Sequence, residues 1–330
     1  MISFVWPPGE PMVAGAGGSE TYTAGQVREL LRRGIPAQVV TVRHGRSDFK
    51  DIPFLPLNSA ADISNLPGTV VFVNRAYPVP TRNKAAIILH CATEIFNSPA
   101  AKAAMKAQVV GKTIIATSIY SGQQWALFLD IPYSHIHIVL PFSDPVFGNI
   151  KRSKPAKKTR ILYAGRLHPE KGIYTVLEMM HHDDMQHNGY STSIVVAGQH
   201  VEIGRTIAKM LTGYRYARLL SAQKTVISMA QLLAQTDILL MPSVYAEPFG
   251  MLSVEAQHAG SRVVASNIGG LPETNCGLLT LTEARDPLAL MTGIAQAVAL
   301  GPATNKERVI ARNSFTLSES VDSLLATLHL

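Results

Sequence analysis

The chain has 330 residues, 47% hydrophobic and 16% charged, with a formal net charge of +7. That length predicts two domains, and so apolar a composition suits buried parallel sheets. No apolar run reaches a membrane-spanning length, no signal-like start is read, and two cysteines, Cys91 and Cys276, make no disulfide framework, so a reducing cytoplasmic setting is expected.

Residues Ile2–Trp6, ISFVW, predict a short buried strand, and residues 7–18, with seven Pro and Gly, predict a loop. Gly17-Gly18-Ser19-Glu20 then opens a helix that Gly34 closes. This is not the dinucleotide fingerprint: Gly15 and Gly17 fit G-x-G-x-x-G, but Glu20 stands in the third glycine's place. The segment reads either as a plain βα turn or as a place where Gly17 and Gly18 let backbone approach a phosphate or sugar. Strand candidates follow at Gln38–Val42, Val70–Asn74, Ala86–His90, Thr113–Thr117 and Ile136–Leu140. Their alternation with helical or loop segments predicts a parallel sheet with helices on both faces. His90 stands at a strand end, beside Thr93 and Glu94 in the following loop. A lone His there reads as structural or as a site residue, since such sheets bind ligands beyond the carboxyl ends of their strands.

From Lys151 to Arg160, six of ten residues are Lys or Arg and none is acidic. The run reads as a solvated linker between halves, with attraction to an anionic membrane surface as the functional alternative. Nucleic acid is not expected as a partner, because no aromatic platform or helix-turn-helix pattern accompanies it. The predicted domains are therefore 1–150 and 151–330, with the helix at Leu317–Leu330 expected to pack back on the first. Strands in the second half are predicted at Arg160–Ala164, Ile194–Gly198, Ala217–Leu220, Asp237–Met241 and Arg262–Ala265. Both halves read as Rossmann-type units, which puts the default ligand site in a cleft between them.

Three segments of the second half carry chemistry. In AGRLHPEKG, Arg166 leaves a strand end and Lys171 starts the next helix, so both are read as cleft-facing cations or as solvated loop charges. In EPFGMLSVEA, Pro248 keeps Glu247 out of a helix, which then runs from Gly250 to Gly260. The backbone N–H groups of Phe249, Gly250, Met251 and Leu252 would face an anion, and Glu255 lies about a turn further in. A second glycine loop, with Gly269 and Gly270, follows the strand at Arg262–Ala265. The cluster His181-His182-Asp183-Asp184 with His187 reads as a solvated loop, and no Asp-x-Asp pair is present, so no metal is expected.

Taken in order, YAGRLHPEKG, IVVAG, ILLMPS, EPFGMLSVEA and SNIGGLPE resemble the retaining glycosyltransferases of family 4. In the first half GGSE, His90, ATSIY and HIVLPFSDPVF extend the resemblance. It implies an α/β GT-B fold, two Rossmann-like domains facing across a deep cleft, the first for the acceptor and the second for a nucleotide-sugar donor. It implies that Arg166 and Lys171 bind the donor diphosphate, Glu247 the donor sugar, and Glu255 the ribose. Phe249, Gly250, Met251 and Leu252 would supply backbone contacts, as would Gly17, Gly18, Gly269 and Gly270, and His90 would lie near the reacting sugar. No cofactor beyond the nucleoside-diphosphate sugar is implied, and the acceptor would be a glycan, a lipid-linked or a small-molecule hydroxyl. Phe142-Ser143 departs from the family's Asn-Gly, and Ser221-Ala222 replaces a glycine near the expected base. The expected reaction is metal-independent transfer with retention, by same-face attack rather than through a carboxylate nucleophile, because Glu247 is assigned to sugar hydroxyls. Other readings are a non-catalytic GT-B binding subunit and a nucleotide-sugar epimerase.

Overall fold

The computed structural model describes residues 1–13, 17–42, 47–154, 156–166, 168–181, 190–197, 201–212, 214, 217–221, 223 and 225–330, with the backbone alone for residues 166, 190–197 and 201–203. They form two compact units, Met1–Phe142 with Phe315–Leu330, and Ser143–Ser314.

The first unit contains β1 (Ile2–Val5), α1 (Gly18–Arg32), β2 (Ala37–Val42), β3 (Phe54–Leu57), β4 (Thr69–Val73), β5 (Ala85–Leu89), α2 (Pro99–Val109), β6 (Thr113–Ala116), α3 (Ile119–Leu129) and β7 (Ile136–Ile138). The second contains α4 (Pro145–Asn149), β8 (Thr159–Arg166), α5 (Ile173–His181), β9 (Tyr190–Ala197), α6 (Val201–Leu211), β10 (Ala217–Leu220), α7 (Val226–Ala234), β11 (Ile238–Met241), α8 (Met251–His258), β12 (Arg262–Ser266), β13 (Leu279–Thr282), α9 (Pro287–Ala299) and α10 (Asn305–Arg312). The last helix, α11 (Leu317–Leu328), belongs to the first unit, where it packs on α1. Arg33 reaches Asp322 there, and Gln26 Nε2 donates to Ser320 Oγ at 2.9 Å.

The sheet of the first unit runs β3-β2-β1-β4-β5-β6-β7, and that of the second β10-β9-β8-β11-β12-β13, with every strand pair among the described residues parallel. Each order turns back on itself once, between β1 and β4 and between β8 and β11. At such a switch point the loops leaving the two strands go to opposite faces and open a ligand crevice at the carboxyl ends.

Side chains alternate across each sheet. In the second unit Ile161, Tyr163, Ile238, Leu240 and Val264 pack with α5, α6 and α9 on one face. Leu162, Ala164, Leu239, Met241, Val263 and Ala265 pack with Phe147 of α4 and with α7 and α8 on the other. In the first unit Val5, Val40, Phe72, Ile87 and Leu89 share a cluster with Met105 of α2 and Trp125 of α3. Strands apolar on both faces are why the sequence shows continuous apolar runs rather than alternation.

Two strands escape the sequence reading, and both are edges. Pro56 interrupts β3, which an edge strand tolerates because one side of its ladder is unpaired. The LTLT of β13 is short and only half apolar.

The basic run departs from the solvated face expected of it. Arg160 Nε donates to Asp237 Oδ2 at 2.9 Å and its Nη2 to Oδ1 at 2.8 Å. Arg152 Nη2 donates to the Thr236 carbonyl at 2.6 Å and to Asp237 Oδ1 at 3.2 Å. The run has no acid of its own, but the fold brings one from the start of β11. Lys151, Lys154, Lys157 and Lys158 remain exposed. Among the described residues no helix is long and apolar enough to cross a membrane. The His-Asp cluster lies, apart from His181 at the end of α5, outside the described residues.

Candidate active site

In the second unit the candidate residues gather at the β8/β11 switch point. Lys171 follows β8 in a short 3-10 turn, Pro169–Lys171. Gly172, at φ +74°, ends that turn, and an added Cβ there would lie 1.8 Å from the Pro242 carbonyl oxygen. Only glycine lets this turn press against the backbone that leaves β11. The Val244 N–H donates to the Glu170 carbonyl at 2.8 Å, fastening the two loops together.

The result is an ion pair between residues 76 apart in sequence, Lys171 Nζ to Glu247 Oε2, at 2.9 Å, with side-chain exposures of 19% and 8%. Ser243 Oγ donates to the other carboxylate oxygen, Oε1. Lys171 also donates to the Tyr245 hydroxyl at 3.1 Å. Burial works against its ammonium, but the charge of Glu247 and then Tyr245 outweigh burial and raise its pKa above the ordinary lysine value. Sequence reading placed Glu247 in a loop. It is in a loop, but a buried one, which its two polar partners, Lys171 and Ser243, make tolerable.

The Gly269-Gly270 loop backs this arrangement. Gly269 sits at φ +64°, and an added Cβ would lie 2.6 Å from the Glu247 backbone nitrogen and oxygen. At Gly270 an added Cβ would lie 2.4 Å from the Pro248 carbonyl oxygen, while its N–H donates to the Glu247 carbonyl at 2.7 Å. The two glycines, read from sequence as ligand contacts, have as their observed neighbours the backbone of Glu247 and Pro248.

Beyond Glu247, Phe249 is buried and Gly250, at φ +115°, is the N-cap of α8 with no side-chain cap. Met251 and Leu252 form the first turn, and Glu255 lies one turn on. Burial, and then the nearby Asp144, push the Glu255 carboxyl up to about 7. Among the described residues no donor reaches that carboxyl. The backbone of Arg166 ends β8, paired with Ala197, but its side chain lies outside the described residues. So does Ala222, one of the two residues that replace a glycine.

The first unit gathers its candidates at its own switch point. Gly17, in extended geometry at φ −171°, is the N-cap of α1, again with no side-chain cap, and Gly18 is the first helical residue. His90 follows β5. Its ring meets the Tyr22 ring edge-on at 4.6 Å, and its Nε2 is buried with no partner among the described residues. Burial pushes its imidazole down to about 3, so it is neutral at pH 7. Asn74, which follows β4 with φ +60°, was not singled out in the sequence; its Oδ1 accepts the His90 N–H at 2.8 Å and its Nδ2 donates to Ser19 Oγ at 3.4 Å. A non-glycine residue in the left-handed region at a strand end is a mark of a constrained site. Phe142, in place of the expected asparagine, lays its ring where a Cβ on Gly25 would come within 2.2 Å.

Among the described residues no three His, Cys, Asp or Glu side chains are grouped to hold a metal ion.

Residues 149–314, about half the chain and nearly the whole second unit, match the family model described as glycosyl transferases group 1. The chain belongs to this family. Curated relatives of the chain include the glycogen synthase of Mycobacterium tuberculosis, 35% identical over 134 residues, which are 39% of this chain and 30% of that protein. The D-inositol 3-phosphate glycosyltransferase of Mycolicibacterium vanbaalenii is 36% identical over 102 residues, 30% of this chain and 22% of that protein. The chain thus matches less than a third of the length of these curated relatives. Among solved structures, Anabaena HepE in complex with UDP superposes with a TM-score of 0.77 at 17% identity, covering 99% of each chain. A glycosyltransferase from Rickettsia africae superposes with a TM-score of 0.77 at 18% identity, covering 99% of this chain and 97% of that one. These likenesses extend through the first unit and show the fold, which is GT-B.

Proposed function

We propose that this member of the family is a retaining, metal-independent glycosyltransferase that moves a sugar from a nucleoside-diphosphate sugar to an acceptor hydroxyl. The observation that carries the reading is the Lys171–Glu247 pair, held at a switch point beside a helix start without a side-chain cap. A nucleotide sugar needs positive ends for its diphosphate and hydrogen-bond acceptors for its hydroxyls, and this arrangement offers both. Lys171, Arg166 and the N–H groups of Phe249 to Leu252 are assigned to the diphosphate, where negative charge grows as the glycosidic bond breaks. Fixed positive ends of this kind stabilise the leaving group without reorganising. Glu247 is assigned to the sugar hydroxyls and Glu255 to the ribose. His90, neutral and with an unused Nε2, is assigned to the reacting sugar, and Gly17 and Gly18 to the acceptor or phosphate.

The acceptor oxygen attacks from the face the diphosphate leaves, and a diphosphate oxygen takes its proton. This needs no protein nucleophile. A covalent sugar trapped on Glu247 would refute it. The acceptor is assigned to glycan biosynthesis, such as a cell-surface polysaccharide or lipopolysaccharide. Lys151, Lys154, Lys157 and Lys158 are assigned to peripheral contact with an anionic membrane surface, which co-sedimentation with acidic against neutral vesicles tests.

Thermal shift and diphosphate release should be measured with UDP-, GDP-, ADP- and TDP-sugars, in EDTA and with added magnesium or manganese. One donor class should stabilise the chain and be hydrolysed slowly without acceptor, equally well in EDTA, and Lys171→Ala should abolish both effects. Absence of binding to all four classes, or an absolute metal requirement, would overturn the reading.

A further inference from the structure

Tyr245 lies in the loop between β11 and Glu247 and carries no role in the reading above. Its hydroxyl accepts from Lys171 Nζ at 3.1 Å, and the same ammonium lies 4.9 Å from its ring centroid, within cation–π range. Lys171 thus has two holders, a carboxylate and a phenol, both supplied by the loop that follows β11.

The two holders are not equivalent once a donor enters. The ammonium and the carboxylate neutralise each other in this structure, so a diphosphate must compete with Glu247 for Lys171. When Glu247 turns to sugar hydroxyls, the buried ammonium loses its nearest acceptor and would otherwise have to be satisfied by the diphosphate alone. A buried cation short of hydrogen bonds is costly. The phenol carries no charge and is assigned to neither the sugar nor the diphosphate, so it can stay on the ammonium. It can keep one hydrogen bond and one ring contact on the ammonium while the other partner is exchanged.

We propose that Tyr245 is a positioning residue that holds the Lys171 ammonium at the donor diphosphate, and so sets donor affinity. This rests on the assignment of Lys171 to the diphosphate. Ser243 does for Glu247 what Tyr245 does for Lys171, by hydrogen-bonding the carboxylate oxygen that does not face the lysine.

The test is isothermal titration of the intact chain with UDP, GDP and ADP, from pH 7 to pH 10.5, for wild type, Tyr245→Phe, Tyr245→Leu and Lys171→Ala. Tyr245→Phe keeps the ring and its packing, so it guards against loss of fold. The tightest of the three nucleotides should bind roughly tenfold more weakly to Tyr245→Phe and more weakly again to Tyr245→Leu. Wild type should bind evenly across that range, because its Lys171 holds its proton above the ordinary lysine value, whereas an alkaline loss of binding should enter the range in both variants, where the ammonium loses its proton more easily. In turnover, KM for the donor should rise more than kcat falls. In Lys171→Ala, adding Tyr245→Phe should cost nothing further. A tyrosine that merely packs would bring no alkaline loss into the range. If Lys171→Ala weakens the nucleotide while both Tyr245 variants bind it as wild type does, the role of Tyr245 is overturned and the donor site stands. If Lys171→Ala itself leaves binding unchanged, both fall.

Discussion

At the scale of single residues, the informative groups are carboxylates with different surroundings. Glu247 is held by an ammonium and a hydroxyl, whereas Glu255, eight residues on, has neither. Breaking a buried pair leaves the other charge stranded, so Lys171→Ala should lose about 3 kcal/mol of stability, and the double change Lys171→Met with Glu247→Gln much less, by urea unfolding. Glu247→Gln alone also strands a charge, that of Lys171, and should lower turnover on the order of a hundredfold when assayed at a temperature where the variant is still folded. Glu255 makes a prediction of opposite sign. Its carboxyl binds a proton more tightly in the folded chain than in the unfolded chain, with a pKa of about 7 against the ordinary 4.5. Between those values the folded state holds more protons, so stability falls as pH rises from about 4.5 to 7. Glu255→Gln should therefore unfold like wild type at pH 4 but be more stable at pH 8, by on the order of 2 kcal/mol, in paired urea melts. It should also bind the nucleotide less well, because a donor-free carboxyl suited to a ribose is what the substitution removes.

At the scale of elements, nine of the helix starts divide into two kinds. Ser98 caps α2, Ser118 α3, Asp144 α4, Thr225 α7, Asp286 α9, Thr304 α10 and Thr316 α11, each side chain accepting from the first turn. The starts of α1 and α8 are glycine and lack such a cap. Capping is worth about 1 kcal/mol against a non-capping side chain, so a start left open forgoes stability that a ligand can supply. Gly17→Ser fits the extended backbone there and should alter stability by no more than about 0.5 kcal/mol, while occupying N–H groups. If α1 serves the substrate, calorimetry will show a nearly unchanged Tm and the turnover assay a clear loss. Gly269→Ala is expected to do something different. It adds a Cβ into the backbone of Glu247 at a positive φ, so it should cost about 2 kcal/mol and displace Glu247 together with its loop. These glycines were visible in the sequence as a loop; that one presses on Glu247 was not, because the contact joins the ends of β11 and β12.

At the scale of the whole molecule, each unit is a complete doubly wound sheet with its candidate residues at the strand-order reversal. The entry into the second unit is pinned where Arg152 and Arg160 converge on Asp237. Asp237→Ala strands two half-buried guanidinium groups and should destabilise the chain by about 3 kcal/mol in urea unfolding, without a direct effect on nucleotide affinity. Reading that run as a solvated linker misses this, since its counter-ion lies 77 residues away from Arg160. Local chemistry sufficed for much of the rest. Apolar runs set most of the strands, glycine and proline set the turns, and YAGRLHPEKG, EPFGMLSVEA and SNIGGLPE, each at a strand end or the turn that follows it, carried the resemblance that marked the candidate residues of the second unit. What only tertiary structure decided is which of those ends lie side by side. Strand order is not written in local propensity; it follows from how buried faces pack. That packing set β8 beside β11, paired Lys171 with Glu247, brought in Ser243 and Tyr245, and tied His90 to Asn74 and Tyr22.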